Sequence, residues 1–394
     1  MKTTVWIGAA GLLCLGMASV SHAQSSVTLY GIIDTGLTYA NHVSTATGSS
    51  SILKYGDGVG LGSRWGFKGS EDLGGGLKAI FQLENGFNTG TGQIGQSAMF
   101  GRLAYAGFSK TGIGELTFGR QYSLSTSVLG HGFSMGAQTI AGGFAYHIND
   151  LDQLTGSRLS NSVKFMSRSF SGLKFGAMYA FSNQAGAFGG ANSTTTGTTT
   201  TAGSSRASSF AVEYDHGPFA AAAAYTDMSF PAQASPTSYS VAVANVNTNG
   251  LRDLRTFGMG ARYTVGALTG WGLWTNTRFK PITGASSTLN ALEVSGNYFL
   301  APDLILGLGY TYEHLDGYAT GKWHQANSVL DYYFSKRTDV YLAVSYQKAL
   351  GENRINGVEV PVQAQIGSST SFVGTSGNGS DSQVAVRVAI VHRF

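Results

Sequence analysis

Apolar and polar residues alternate along most of this chain, in segments of about ten residues separated by turns or polar stretches. A period of two places successive side chains on opposite faces of a β-strand. The last segment, residues 383–394, has one apolar face and one face that contains Arg387, and it ends on Phe394. A strand in this position should be paired rather than frayed. Pairing the last strand with the first would close the sheet.

The pattern predicts sixteen strands, with residues 40–61 as a glycine- and serine-rich connection and residues 123–158 without clean alternation. Short turns alternate with long polar connections, as in bacterial outer-membrane barrels with short periplasmic turns and long extracellular loops. A sheet in lipid must close, and sixteen strands leave an aqueous channel. The predicted strands are residues 27–39, 63–69, 77–83, 100–108, 115–122, 161–166, 173–181, 208–214, 219–225, 255–264, 271–279, 289–299, 304–312, 323–334, 339–347 and 383–394.

The composition agrees with such a barrel. Charged residues make up 12% of the chain, against about 25% in ordinary soluble domains. After residue 23 no run of about 18 apolar residues, the length of a spanning helix, occurs. The 19 Tyr and 22 Phe argue against disorder. We therefore predict an all-β protein, a sixteen-stranded antiparallel transmembrane β-barrel.

The amino-terminal residues predict a cleaved export signal. Lys2 supplies the positive charge, residues 5–20 are apolar, and residues 21–23 (Ser-His-Ala) form a small-x-small cleavage site. We expect residues 1–23 to be removed and residues 24–394 to form one barrel. A membrane-anchoring helix is the alternative, whereas a lipoprotein is disfavoured because Leu13 precedes Cys14. Cys14 is the only cysteine, so no disulfide is expected in the mature chain.

Several stretches resemble the Gram-negative porin family of the beta-proteobacterial and neisserial type. They are VTLYGIIDTGLTY, GSRWGFKGSEDLGGGLKAIFQLE, FGRLAYAGF followed by LTFGRQY, NSVKF before SGLKFGAMYAF, SKRTDVYLAVSY and VAIVHRF. The resemblance implies a homotrimer of barrels in the outer membrane that passes small hydrophilic solutes and ions by passive diffusion. It also implies that the third long loop, residues 123–158, folds into the barrel and narrows it.

Charged side chains at a constriction bias which ions pass through a pore. Six basic and two acidic residues are candidates, because they lie at lumen-facing positions of the predicted strands or in the third loop. The resemblance supports Arg64 and Arg102 as members of a basic cluster, with Arg158 as a third member, and a basic excess there would give a weak preference for anions. Alternatively, these arginines lie at the rims or in the wide part of the lumen. The candidates are Arg64, Lys68, Lys78, Arg102, Arg120, Arg158, Asp150 and Asp152.

The expected partners also follow from the resemblance. We expect Phe394 to act as an assembly signal for the barrel assembly machinery, and the wall to contact outer-membrane lipid and lipopolysaccharide. The sequence contains no basic run of five or more residues, so it gives no indication of nucleic-acid binding. No cofactor is expected, and His131 and His147 lack the spacing of a metal site.

Other functions fit the sequence less well than a general diffusion channel. The nearest alternative is a substrate-selective outer-membrane channel of the same fold. An outer-membrane hydrolase would need a Ser/His/acid constellation at a rim, and no nucleophile context of the GxSxG type stands out. An adhesin or β-solenoid would show a sequence repeat of about 20–50 residues, and none is visible.

Overall fold

The computed structural model describes residues 25–394 except residues 187, 192–193, 197–198, 202–204, 231–250, 356 and 378–379. The expected export signal, residues 1–23, lies outside the described residues. The strands are, in chain order, β1 (Ser26–Thr45), β2 (Gly48–Asp57), β3 (Arg64–Gly74), β4 (Leu77–Gly86), β5 (Leu103–Lys110), β6 (Gly114–Tyr122), β7 (Arg158–Ser167), β8 (Leu173–Ala180), β9 (Thr194–Thr196), β10 (Thr199–Thr201), β11 (Arg206–His216), β12 (Phe219–Ser229), β13 (Leu251–Val265), β14 (Leu268–Pro281), β15 (Ser287–Ala301), β16 (Leu304–Gly317), β17 (Gly321–Ser335), β18 (Thr338–Leu350), β19 (Glu352–Ile355), β20 (Val358–Pro361) and β21 (Ser382–Arg393).

Helical turns are short and lie in the connections. None of the helices in the described part of the chain is long and apolar enough to cross a membrane. The turns are a 3₁₀ turn at Gly95–Ser97, a π-helical turn at Ser125–Gly130, α1 (His131–Phe133), α2 (Met135–Gln138) and 3₁₀ turns at Gly142–Phe144 and Ile148–Asp150.

The strands form one closed antiparallel barrel. Each wall strand pairs with its neighbours along the chain, and β1 pairs with β21 from Ile32↔Arg393 to Ala40↔Ala385. Both β2 and β3 pair with the same edge of β1, so together they make one wall strand that is interrupted at residues 58–63. Counted in this way, the described residues contain sixteen wall strands, which confirms the prediction. The hairpins β9–β10 and β19–β20 lie in the long connections.

The long-loop rim differs from the prediction. Strand β2 occupies residues that were predicted to be a connection, and β13–β18 extend past their predicted ends, which leaves only residues 318–320 between β16 and β17. The predicted pattern needs an apolar outer face and a wet lumen, whereas near this rim the lumen side is apolar, with Leu254, Leu315 and Ala349 fully buried. Backbone hydrogen bonds therefore extend the hairpins where the side-chain pattern ends.

The two faces of the wall have opposite chemistry, as β15 shows. Leu292 and Val294 are 50% and 63% exposed on the outside of the barrel. Ala291 and Glu293, which alternate with them along the strand, are fully buried toward the lumen, beneath the third loop. This loop, residues 123–157, therefore fills part of the lumen.

A buried ion pair joins the strands at the point of closure. Arg387 of β21 donates to Asp34 of β1 at 2.9 Å and to the hydroxyl of Tyr341 in β18 at 2.7 Å. The carboxylate of Asp34 also accepts the backbone N–H of Leu61 at 2.8 Å, which ties in the interruption between β2 and β3. Arg387 and Asp34 are both fully buried. We call Asp34, Tyr341 and Arg387 the closure network.

The third loop crosses the lumen from its origin between β6 and β7. At its far side it contacts the interruption between β2 and β3, where Gly143 N–H donates to Val59 O at 2.5 Å. It also contacts four strands on the opposite side of the wall, which confirms the predicted infolded loop. The wall residues that bond to it there are Thr275, Glu293, Glu313 and Gln325.

Candidate pore constriction

Three arginines converge where the wall meets the third loop. Arg64 is the first residue of β3, Arg102 immediately precedes β5, and Arg158 is the first residue of β7. Arg102 was predicted inside a strand from residue 100, but β5 begins only at Leu103. Its side chain nevertheless reaches the other two, because all three meet around Glu84 and Tyr122. We call Arg64, Arg102 and Arg158 the basic group.

The contacts of the basic group are short. Arg102 Nε lies 2.6 Å from Glu84 Oε1, and Arg64 Nε lies 3.8 Å from Glu84 Oε2. The hydroxyl of Tyr122 accepts Arg102 Nη2 at 3.1 Å and Arg158 Nη2 at 2.7 Å. The guanidinium of Arg158 also lies 4.5 Å from the ring centroid of Tyr122. One carboxylate thus faces three guanidinium groups, which leaves two positive charges in excess.

The basic group affects the pKa of a histidine in the third loop. The ring of His131 packs edge-on against Tyr122 at 4.9 Å. Burial and then the charges of Arg158, Arg64 and Arg102 lower the pKa of His131 to about 4. The ring is therefore neutral at pH 7, and it adds no charge to the basic group.

The other basic candidates lie around or away from this point. Arg120 donates to Gly101 O and to Ser160 Oγ, each at 2.8 Å, beside the basic group. Lys68 is exposed, with its ammonium 5.5 Å from the ring centroid of Tyr30. Lys78 is exposed next to a short turn, six residues from Glu84, or about 20 Å along β4 at about 3.3 Å per residue.

The two acidic candidates have different surroundings. Asp150 is buried, and its carboxylate accepts the backbone N–H groups of Thr155 at 2.8 Å and Gly156 at 3.2 Å. Gly156 O in turn accepts Arg158 Nη1 at 3.3 Å, so Asp150 shapes the turn that leads to the basic group. Burial raises the pKa of Asp150 to about 7, against these stabilising hydrogen bonds.

Asp152 faces the opposite wall. Its Oδ2 lies 2.5 Å from His147 Nδ1 and accepts the hydroxyl of Thr275 at 2.7 Å. His147 Nε2 lies 3.3 Å from Glu293 Oε2. Burial disfavours the charged ring, but Asp152 and Glu293 outweigh it and hold the pKa of His147 well above its ordinary value. The structure therefore does not bring Asp152 to the basic group.

Wall carboxylates hold the backbone of the third loop at this second point. Glu293 accepts Met135 N–H at 2.7 Å, and Glu313 accepts Ile148 N–H at 3.0 Å. We call His147, Asp152, Glu293 and Glu313 the loop anchor. Sequence reasoning did not select Glu84, Tyr122 or the loop anchor. A single acid on the lumen parity of a largely apolar strand, as at Glu293 and Glu313, was the available signal. Among the described residues, no group of three or more His, Cys, Asp or Glu could hold a metal ion.

One serine of the third loop does lie in a GxSxG sequence, at residues 132–136, which the sequence reasoning passed over. A nucleophile elbow would expose the serine hydroxyl on a strand-to-helix turn beside a histidine. Ser134 is instead buried, and its hydroxyl donates to Glu293 at 3.2 Å and accepts Gly136 N–H at 3.4 Å. Ser134 therefore contributes one more hydrogen bond between the third loop and the wall.

Comparisons with known proteins agree with this architecture. The model of a family described as Gram-negative porin matches residues 9–351, and the chain belongs to this family. Outer membrane porin protein 32 of Delftia acidovorans is 30% identical over 404 residues, which cover 97% of this chain and 98% of that protein. The family resemblance seen in the sequence is therefore confirmed, and the protein is an outer-membrane porin.

Two further matches show how far the similarity extends. An outer membrane porin protein of Bordetella pertussis is 39% identical over 197 residues, 46% of this chain and 49% of that protein. The chain thus matches about half the length of that relative. The solved structure of an anion-selective porin from Comamonas acidovorans has a TM-score of 0.71 and 24% identity, and it covers 94% of this chain and 100% of that one. The family and these relatives are porins rather than enzymes.

Proposed function

We propose that the protein is a general diffusion channel that passes small hydrophilic solutes and ions and weakly prefers anions. The observation that carries this proposal is the basic group, in which three arginines share one carboxylate beside a loop that narrows the lumen. Low-dielectric walls focus the field of such a cluster onto passing ions. The similar Comamonas acidovorans protein, which is described as an anion-selective porin, points in the same direction.

The constriction is proposed to consist of the basic group with Arg120 at its side. Asp150 belongs to it as the residue that shapes the turn before Arg158. Lys68 and Lys78 contribute to the lumen away from the narrowest point, because β3 and β4 carry them toward the short-turn rim. Asp152 acts through the loop anchor, which seats the loop.

The partners implied by the family resemblance are proposed as well. A homotrimer fits the apolar outer wall, and Phe394 fits a role as an assembly signal read by the barrel assembly machinery. The backbone of Phe394 exchanges two 3.0 Å hydrogen bonds with Gly31 of β1, and its ring packs against that glycine. Crosslinking of the purified protein tests the trimer, since a single monomer band would exclude it.

Zero-current potentials in a planar bilayer under a KCl gradient test the channel and its selectivity. We expect an anion-side potential for the wild type and a shift toward cations for Arg64→Ala/Arg102→Ala. The matched control, Arg168→Ala/Arg337→Ala, removes two exposed arginines in the short turns and should leave the potential unchanged. A cation-side potential in the wild type would overturn the anion preference. Absence of conductance from folded protein would overturn the channel itself. A substrate-selective channel would instead show conductance that saturates or is blocked by one solute.

A further inference from the structure

Two arginines face each other on the outside of the wall near the long-loop rim. Arg255 of β13 and Arg278 of β14 are register partners, so their Cα atoms are about 5 Å apart. Their neighbours Thr256 and Thr277 are buried on the lumen side and hydrogen-bonded to each other at 3.1 Å. Because side chains alternate along a strand, both guanidinium groups point outward.

The two arginines have too few acidic neighbours to balance their positive charge. Within the described part of the chain, neither arginine makes a hydrogen bond or a salt bridge, and Arg255 Nε is buried without a partner. Like charges directly opposite each other destabilise a sheet unless something neutralises them. Asp227, the partner of Arg255 on β12, supplies one negative charge.

The surrounding charges leave the patch basic. Asp253 is already engaged by Lys280, with the closest atoms 3.8 Å apart. Arg206 at the start of β11 adds another cation. Four basic side chains thus face two acidic ones, Asp227 and Asp253, which leaves two positive charges for an external anion.

An apolar groove lies below the arginines on the same outer surface. Its volume is about 580 Å³. Small residues form its floor and larger apolar ones its sides. Trp274 packs edge-on against Phe257 at 5.8 Å between the groove and the arginines. The floor consists of Ala221, Ala223, Ala261 and Gly272, and the sides of Val212, Tyr214, Met259, Trp274, Leu292 and Val294.

The two arginines, the aromatic pair and the apolar groove follow one another along the wall, in the same order as the polar head and the apolar tail of an amphiphile. Gly272 lies six residues from Arg278, or about 20 Å along β14, with the aromatic pair between them. Aromatic residues are common at the level of lipid headgroups. The arginines therefore lie at headgroup level on the long-loop side, the extracellular side of an outer-membrane barrel, and the groove lies at acyl-chain level.

We propose that this patch, Arg255 and Arg278 with the groove below them, binds the lipid A part of lipopolysaccharide. A phosphate group lies between the two guanidinium groups, which suit bidentate contacts to phosphate oxygens. An acyl chain lies along the groove, where the small floor residues leave room for it. The site is on the outer surface, so it goes beyond the proposed channel function and does not depend on ion selectivity.

Native mass spectrometry of the purified full chain in detergent, titrated with diphosphorylated lipid A, tests the proposal. We expect Arg255→Gln/Arg278→Gln to bind lipid A about tenfold more weakly, because hydrogen bonds to charged groups contribute about this factor or more. Gly272→Leu, which fills the groove without changing charge, should also weaken binding. Arg168→Gln/Arg337→Gln, at the opposite rim, should bind like the wild type. Conductance should be unchanged in all these variants.

Further measurements distinguish lipid A from other molecules that could occupy the site. Dephosphorylated lipid A should bind the wild type as weakly as lipid A binds the arginine variant. Equal binding of phosphatidylglycerol and lipid A would overturn the assignment to lipid A. Equal lipid A binding in the arginine variant and its control would overturn the site. A change of oligomeric state in the arginine variant would show that the face contacts a second copy of the chain, and would also overturn the proposal.

Discussion

Replacing Glu84 with glutamine should make the channel more anion-preferring. The side chain of Glu84 is 6% exposed and is the carboxylate that Arg102 and Arg64 share. Its removal raises the local excess from two positive charges to three. Glutamine keeps an oxygen that can accept the hydroxyl of Tyr30, which donates to Glu84 at 2.9 Å. The substitution therefore changes charge with little change of shape.

The size of the effect follows from Coulomb's law. A unit charge about 4 Å from an ion changes its energy by about 1 kcal/mol in a water-like dielectric. At about 0.1 M salt the Debye length of about 10 Å leaves roughly two thirds of that value. Since about 1.4 kcal/mol corresponds to a factor of ten, anion permeability should rise about threefold. Cation permeability should fall by a similar factor.

The assay is the zero-current potential under a KCl gradient near 0.1 M, repeated near 1 M, where the Debye length falls to about 3 Å and the shift should fade. Glu84→Asp keeps the charge and should resemble the wild type. Lys78→Gln removes a charge from the same strand about 20 Å away and should have little effect. An unchanged potential in folded Glu84→Gln at low salt, or an equally large shift in Lys78→Gln, would refute the reasoning.

Three further predictions concern the loop anchor, the closure network and the last residue. Because the pKa of His147 is raised in the folded protein, its stabilising charge is fully present below its unfolded pKa of about 6.5. That contribution is lost only as pH rises through the higher folded value, so current noise should increase in alkaline buffer. His147→Gln should show such noise already at neutral pH and weaken the anchor by about 3–5 kcal/mol; quiet channels in both cases would contradict this. Arg387→Met should lower the free energy of unfolding by about 3–5 kcal/mol, because it leaves Asp34 buried without its cation. Asp34→Leu/Arg387→Met should recover part of the loss in urea titrations followed by tryptophan fluorescence, and an additive double variant would argue against coupling. Phe394→Ala should reduce the fraction of heat-modifiable barrel in outer membranes but not the refolding yield in detergent; a normal fraction in membranes would remove the proposed signal.

The fold was largely predictable because lipid and water impose opposite demands on the two faces of each strand. Residues 304–312, for example, show the alternation and begin where β16 begins. Strand β2 was missed because its first four residues are glycine and serine, which leaves only Leu53 and Tyr55 to mark its outer face. The ends of β13–β18 were predicted too short because the pattern reverses there, with Leu254 and Leu315 buried on the lumen side.

The site was predictable in its residue types but not in its connections. Arg64, Arg102 and Arg158 were selected from lumen parity and family resemblance, and the structure brings them together. The roles of Glu84 and Tyr122 depend on register, which places them between these arginines. The loop anchor connects the third loop to distant strands; Glu313, for example, accepts the backbone N–H of Ile148, 165 positions away. No local pattern encodes that contact.

The acids that seat the loop and the arginines that face the pore are separated by burial as well as by position. Asp152 and Glu293 are 1% and 0% exposed in their side chains, and His147 lies between them. Arg64 and Arg102 retain 21% and 12% exposure. The guanidinium groups are therefore open to the lumen, whereas the carboxylates of the anchor lie behind the loop with His147 beside them. In the proposed channel, acidic residues can thus hold the loop while the arginines set the sign of selectivity. The two sets of residues should accordingly be separable by mutation, with anchor variants changing noise and basic-group variants changing ion preference.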